Sequence, residues 1–297
     1  MSTASRPSPL QHSIPRRITY TTPDGLNLVA DAYGNDVDKP VLLAHGGGQT
    51  RHAWGGTAAA LAAAGRYAVS LDLRGHGDSD WSPQGDYLLE RFAGDVRFVA
   101  EQLARGGERP VMVGASLGGL SAMIAGGESN PCPFSAIVLV DIAPHIEMRG
   151  SERVLEFMRD KLETGFADLE EAADAVAAYL PERPRPTDLK GLQKNLRKRP
   201  DGRWRWHWDP RFVSGDRKVD GARHPDRLVA AVSKITVPML LVRGRMSDVI
   251  SEESVRKFLE LQPNARFADI ARAGHMVAGD ANDVFTDAVL DFLSEVA

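Results

Sequence analysis

Three observations predict an α/β fold, a mostly parallel twisted sheet with helices on both faces and an inserted, mainly helical segment. Short apolar runs alternate with longer Ala/Leu-rich stretches from residue 41 to residue 141. That rhythm stops at Pro144 and resumes near Ile235. A serine stands in Gly114-Ala115-Ser116-Leu117-Gly118, where an apolar run meets a helical one. Strand, helix, strand, helix in that order needs crossover connections, and these give parallel neighbours with helices on both faces.

Taken in order, residues 17–21 and 27–32 read as two strands around the turn signal Pro23-Asp24-Gly25. Residues 41–44, 68–73, 111–113 and 136–141 read as core strands, with helices expected at 57–64, 88–105 and 117–125. Helix-like stretches follow at 152–162 and 169–180, then the Pro-rich break from Pro181 to Pro186, read as a stiff solvated connector. Residues 237–242, 253–261, 265–270 and 284–296 restore the strand–helix rhythm. The expected organisation is a flexible segment over 1–15, one core formed by 16–144 and 234–297, and a cap inserted at 145–233.

Composition narrows the function. The 297 residues carry 36 basic and 40 acidic side chains, a formal charge of −4, so no basic footprint for nucleic acid is present. Cys132 is the single cysteine, which excludes an intrachain disulfide and a thiolate metal cage. Residues 1–15 hold no signal-like apolar run, and no later stretch approaches the ~18 uninterrupted apolar residues of a membrane span. The expectation is a soluble cytoplasmic protein acting on a small, largely uncharged molecule, with neither membrane nor nucleic acid as partner; the sequence says nothing of oligomeric state.

The chemistry-bearing signal is Gly114-Ala115-Ser116-Leu117-Gly118-Gly119, following Pro110-Val111-Met112-Val113. A serine at a sharp strand-to-helix turn is strained and needs small residues two before and two after it; glycine fills both places. Earlier, His45-Gly46-Gly47-Gly48 ends a strand with a loop able to donate a backbone N–H to an oxyanion, the N–H of Leu117 being a second donor. His45 itself reads as a structural hydrogen-bonder. Neither glycine-rich loop has a nucleotide-binding pattern. His275, in Ala273-Gly274-His275 after the last strand, is the candidate general base. Asp248, past the strand at 237–242, is the leading candidate acid, and Asp141, at the end of 136–141, is the alternative. Asp280 and Asp283 read as charges at the start of the final helix.

These motifs, together with Arg74-Gly75-His76-Gly77-Asp78-Ser79, resemble the α/β-hydrolase superfamily in order and spacing over about 16–144 and 234–297. The resemblance implies Ser116, Asp248 and His275 as a catalytic triad and the amides of Gly47 and Leu117 as the oxyanion hole, with Gly46 as the neighbouring alternative to Gly47. It implies no metal or organic cofactor. A metal site from His76, Asp78 and Asp80 is the sharper reading of the Arg74 loop, and a plain turn is the other. Dehalogenases and epoxide hydrolases of this layout use an aspartate nucleophile. Here the position is Ser116, and an ether formed on serine would resist hydrolysis, so acyl chemistry is expected.

Within the insertion, Arg203-Trp204-Arg205-Trp206-His207-Trp208 holds three of the five tryptophans. If extended, it turns the tryptophans one way and Arg203, Arg205 and His207 the other. The tryptophans then form either the cap's own core or an aromatic wall for substrate, with Trp206, Trp208 and Met276 as candidate pocket residues. The expected activity is a serine carboxylesterase. Its alternatives are a lactonase, a carbon–carbon bond hydrolase or a cofactor-free perhydrolase with the same residues, or a non-catalytic binding protein of this fold.

Overall fold

The computed structural model describes residues 14–181, 185, 187, 189–219, 225–271, 273–275 and 282–296. Residues 1–13, most of the Pro181–Pro186 break, Met276 and Asp280 lie outside the described residues. The strands β1 (Arg16–Thr21), β2 (Asn27–Tyr33), β3 (Lys39–Ala44), β4 (Arg66–Leu71), β5 (Val111–Ala115), β6 (Ala136–Val140), β9 (Met239–Gly244) and β10 (Arg266–Ile270) form one eight-stranded sheet. Its order is β1-β2-β4-β3-β5-β6-β9-β10. The first two pairings are antiparallel and all the others parallel. The β1–β2 hairpin turns at Gly25, whose φ of +86° suits glycine.

Period-two alternation along the central strands feeds two cores. Val41 and Leu43 of β3, with Val111 and Val113 of β5, face α1 (Gly55–Ala63) and α10 (Asn282–Val296) through Leu61, Phe285 and Phe292. Leu42, Ala44 and Met112 face the other way, toward α2 (Leu89–Leu103), α3 (Leu117–Gly127) and α9 (Glu252–Leu261), represented by Phe92, Met123 and Phe258. Helices thus cover both faces, and the strands are buried almost end to end.

Between β6 and β9 the chain leaves the sheet. It forms α4 (Met148–Arg159), α5 (Leu169–Tyr179), α6 (Leu189–Gln193), the antiparallel pair β7 (Leu196–Lys198) and β8 (Trp204–Trp206), α7 (Arg211–Ser214) and α8 (Pro225–Val232). Asp168 caps α5 by accepting the Glu171 N–H at 2.8 Å. The two-stranded ribbon and the short helices α6 and α7 are elements the hydrophobic pattern does not announce, because each is too short to show a period.

This segment is seated on the loops that end β3 and β4. His207 accepts the Gly77 N–H at Nδ1 (2.6 Å), and its Nε2–H donates to the Gly48 carbonyl (3.3 Å). Asp209 accepts from the Tyr87 hydroxyl (2.7 Å), and Arg197 pairs with Asp78 (2.9 Å). Residues 203–208 alternate as expected at their C-terminal end. Trp206 and Trp208 stack at 5.0 Å and 10° while His207 points to the core loops. Trp204 is half-buried against the same cluster, and the Lys198 ammonium lies over its ring, 6.0 Å from the ring centre.

Candidate active site

The elbow is built by close packing. Ser116 sits at φ +44°, ψ −110° as the residue before α3, a backbone conformation that L residues rarely adopt. A Cβ at Gly114 would lie 2.6 Å from the Gly118 backbone, and one at Gly118 would lie 2.3 Å from the Ala44 carbonyl oxygen. Only glycine at both places lets β5 turn into α3 this tightly against β3. The turn presents Ser116 at the carboxyl end of the sheet with the positive end of α3 behind it.

Ser116, Leu117, Gly46, Gly47, Gly48 and His275 line one cavity of about 990 Å³. The Gly46 N–H is taken by Gln49 Oε1 at 3.0 Å. Among the described residues the N–H groups of Gly47 and Leu117 have no protein acceptor, which leaves them available to a developing oxyanion.

Of the two carboxylates that the sequence offers to His275, the structure brings up Asp141 and not the expected Asp248. Asp248 does not reach His275: it is partly exposed and pairs with Arg153 of α4 at 2.8 Å. The partner of His275 is Asp141, fully buried, with Oδ2 2.7 Å from His275 Nδ1. A carboxylate only accepts, so Nδ1 carries the proton and Nε2 is left as the basic nitrogen. Asp141 adopts φ +50° just past β6, and its other oxygen accepts the Gly244 N–H at 3.0 Å. The physical reason for the swap is sheet order. β6 lies between β5, which carries Ser116, and β9, so a residue at the tip of β6 is beside both. Asp248 lies four residues beyond β9, out on a loop under α4. Asp141 itself ended a buried apolar run in the sequence, which is the signal that marks it. Ser247, whose hydroxyl also donates to Asp141 Oδ2 at 2.5 Å, carries no such signal.

Three buried histidines cluster beside the loop of Gly46–Gly48. His45 donates from Nδ1 to the Gly46 carbonyl (2.8 Å) and accepts the Leu73 N–H at Nε2 (3.1 Å), a structural role. His76 lies 5.2 Å from His45 and 5.8 Å from His207, ring centre to ring centre. Burial lowers His45 to about 4, His76 to about 3, and His207 well below the ordinary value near 6.5. All three are neutral at pH 7, so none adds charge to the site.

The metal reading of the Arg74 loop does not assemble. His76 donates from Nδ1 to the Arg74 carbonyl, Asp78 is paired with Arg17, Arg51 and Arg197, and Asp80 accepts the Asn27 N–H. Among the described residues no three His, Cys, Asp or Glu side chains gather to hold an ion. Cys132, between two prolines, is far from this chemistry; burial pushes its thiol up, away from the thiolate.

Trp206 and Trp208 line the cavity, as do Phe157 and Tyr179. Phe157 stacks on Tyr179 at 4.1 Å and 12° and lies 5.5 Å from Trp206, so the four rings form one continuous aromatic wall. Phe157 and Tyr179 belong to α4 and α5 and were not singled out by sequence, since an aromatic on an amphipathic helix reads as ordinary core. Met276 lies outside the described residues.

An elbow serine, a carboxylate-bound histidine and a parallel sheet with this strand order define a hydrolase of the α/β class. The chain belongs to the alpha/beta hydrolase family, whose model matches residues 41–288. It is 30% identical over 247 residues to esterase Rv0045c of Mycobacterium tuberculosis, covering 81% of this chain and 78% of that one. It is 28% identical to 2-(acetamidomethylene)succinate hydrolase of Mesorhizobium japonicum, covering 76% of this chain and 77% of that one. Among solved structures, an E-2-(acetamidomethylene)succinate hydrolase superposes with a TM-score of 0.78 at 23% identity, over 94% of this chain and all of that one. The crystal structure of esterase Rv0045c gives 0.71 at 26%, over 95% and 92%. No helix among the described residues is long and apolar enough to cross a membrane.

Proposed function

We propose that this protein is a carboxylesterase that works through an acyl-enzyme on Ser116, with His275 as general base and Asp141 as the acid of the triad. The observation that carries the reading is the 2.7 Å bond between His275 Nδ1 and the buried Asp141, in the cavity that Ser116 lines. His275 Nε2 takes the Ser116 hydroxyl proton as Oγ attacks the ester carbonyl, and Asp141 holds the tautomer and stabilises the imidazolium. The amides of Gly47 and Leu117, at the positive end of α3, receive the oxyanion. His275 then gives its proton to the departing alcohol. Water, deprotonated by the same nitrogen, cleaves the acyl-enzyme and restores Ser116.

The likeness to an esterase supports ester cleavage, and the serine at the elbow supports acyl over alkyl transfer. Residues 145–233 act as the cap in this reading, and their aromatic wall of Phe157, Tyr179, Trp206 and Trp208 favours an apolar acyl or aryl group long enough to reach it.

An organophosphonate probe should modify Ser116. Hydrolysis of p-nitrophenyl butyrate should fall by about 10⁴-fold in Ser116→Ala and in His275→Ala, measured as kcat. Full turnover in Ser116→Ala contradicts the proposal.

A further inference from the structure

We infer that Ser247 is a positioning residue for the His275–Asp141 pair, an assignment that rests on the triad reading above. Asp141 is fully buried and is held at both oxygens. Oδ1 accepts the Gly244 N–H, while Oδ2 is shared by His275 Nδ1 at 2.7 Å and the Ser247 hydroxyl at 2.5 Å. A carboxylate with one donor per oxygen can still rock about its Cβ–Cγ bond, and the second donor on Oδ2 removes that freedom.

The hydroxyl is itself oriented. It accepts the Val249 N–H at 3.1 Å, so its own proton is directed to the carboxylate, and the Ser247 N–H closes a turn onto the Gly244 carbonyl at 2.9 Å. The turn that offers the Gly244 amide to Oδ1 therefore also offers the Ser247 hydroxyl to Oδ2. The Val249 carbonyl accepts the Glu147 N–H at 2.8 Å, which ties this turn to the chain entering α4. Ser247 touches neither the reacting atoms nor the substrate in this scheme; it acts through Asp141.

Ser247→Ala deletes the hydroxyl, and Ser247→Thr restores it with one added methyl. In Ser247→Ala, kcat on p-nitrophenyl butyrate should fall about tenfold with KM changed by less than about twofold, since ground-state contacts are untouched. The low-field proton resonance of the His275 Nδ1–H should be displaced or broadened, its assignment made by loss in His275→Gln. Ser247→Thr should return both kcat and the resonance toward wild type. An unmoved resonance, or a kcat loss that Ser247→Thr does not restore, overturns the assignment. Absent turnover in the wild type overturns the esterase reading alone, because the resonance reports the hydroxyl's effect on the pair without catalysis.

Discussion

Ser116 at φ +44°, ψ −110° stores backbone strain of about 1–3 kcal/mol, held in place by the close approach of β5, α3 and β3. Glycine adopts that conformation without strain, whereas alanine, like serine, is strained in it. Ser116→Gly should therefore be more stable than Ser116→Ala by about 1 kcal/mol, read as a higher urea midpoint; equal midpoints would mean that the elbow carries no strain. Strain at this position was legible in the residues, because Gly114 and Gly118 flank the serine at the spacing that a sharp turn requires. The carboxylate partner of His275 was only half legible. Asp141 and Asp248 each follow an apolar strand, and choosing between them needs the lateral order of the strands, which a single sequence does not carry.

At the level of elements, the longer helices and the buried strands were legible because each repeats its period at least twice. α2 extends over Leu89–Leu103 and β6 over Ala136–Val140, close to the apolar spans that announce them. The hairpin of β1 and β2 was legible from Pro23-Asp24-Gly25. Between β6 and β9 the helices α4 and α5 showed through, but β7 and β8, three residues each, did not. Their pairing depends on Leu196 meeting Trp206 across an intervening loop, a contact with no local signature. The same holds for the aromatic wall. Trp206 and Trp208 were visible as a cluster, whereas Phe157 and Tyr179 join them only when α4 and α5 fold over the sheet.

At the scale of the whole molecule, His45, His76 and His207 join the β3 loop, the β4 loop and the inserted segment through one buried, neutral cluster. Burial lowers their proton affinity in the folded state, so between pH 6.5 and about 3, the value to which His76 is lowered, the unfolded chain binds more protons and stability rises with pH. Their contribution is complete above 6.5 and is lost as pH falls through that window. For His45 the lowering to about 4 corresponds to about 3 kcal/mol. Urea midpoints should decline steeply from pH 6.5 to 4, and His76→Gln should flatten the slope; an unchanged slope would show that the cluster is not kept neutral by burial. The same sheet order that gathers these loops also sets Asp141 beside His275, and the role proposed for that pair can be tested by exchanging one atom. Asp141→Asn and Asp248→Asn should be compared by kcat on p-nitrophenyl butyrate. A loss of about 10⁴-fold in Asp141→Asn with less than about threefold in Asp248→Asn is the predicted result. The reverse, an inactive Asp248→Asn beside an active Asp141→Asn, would contradict the site described above.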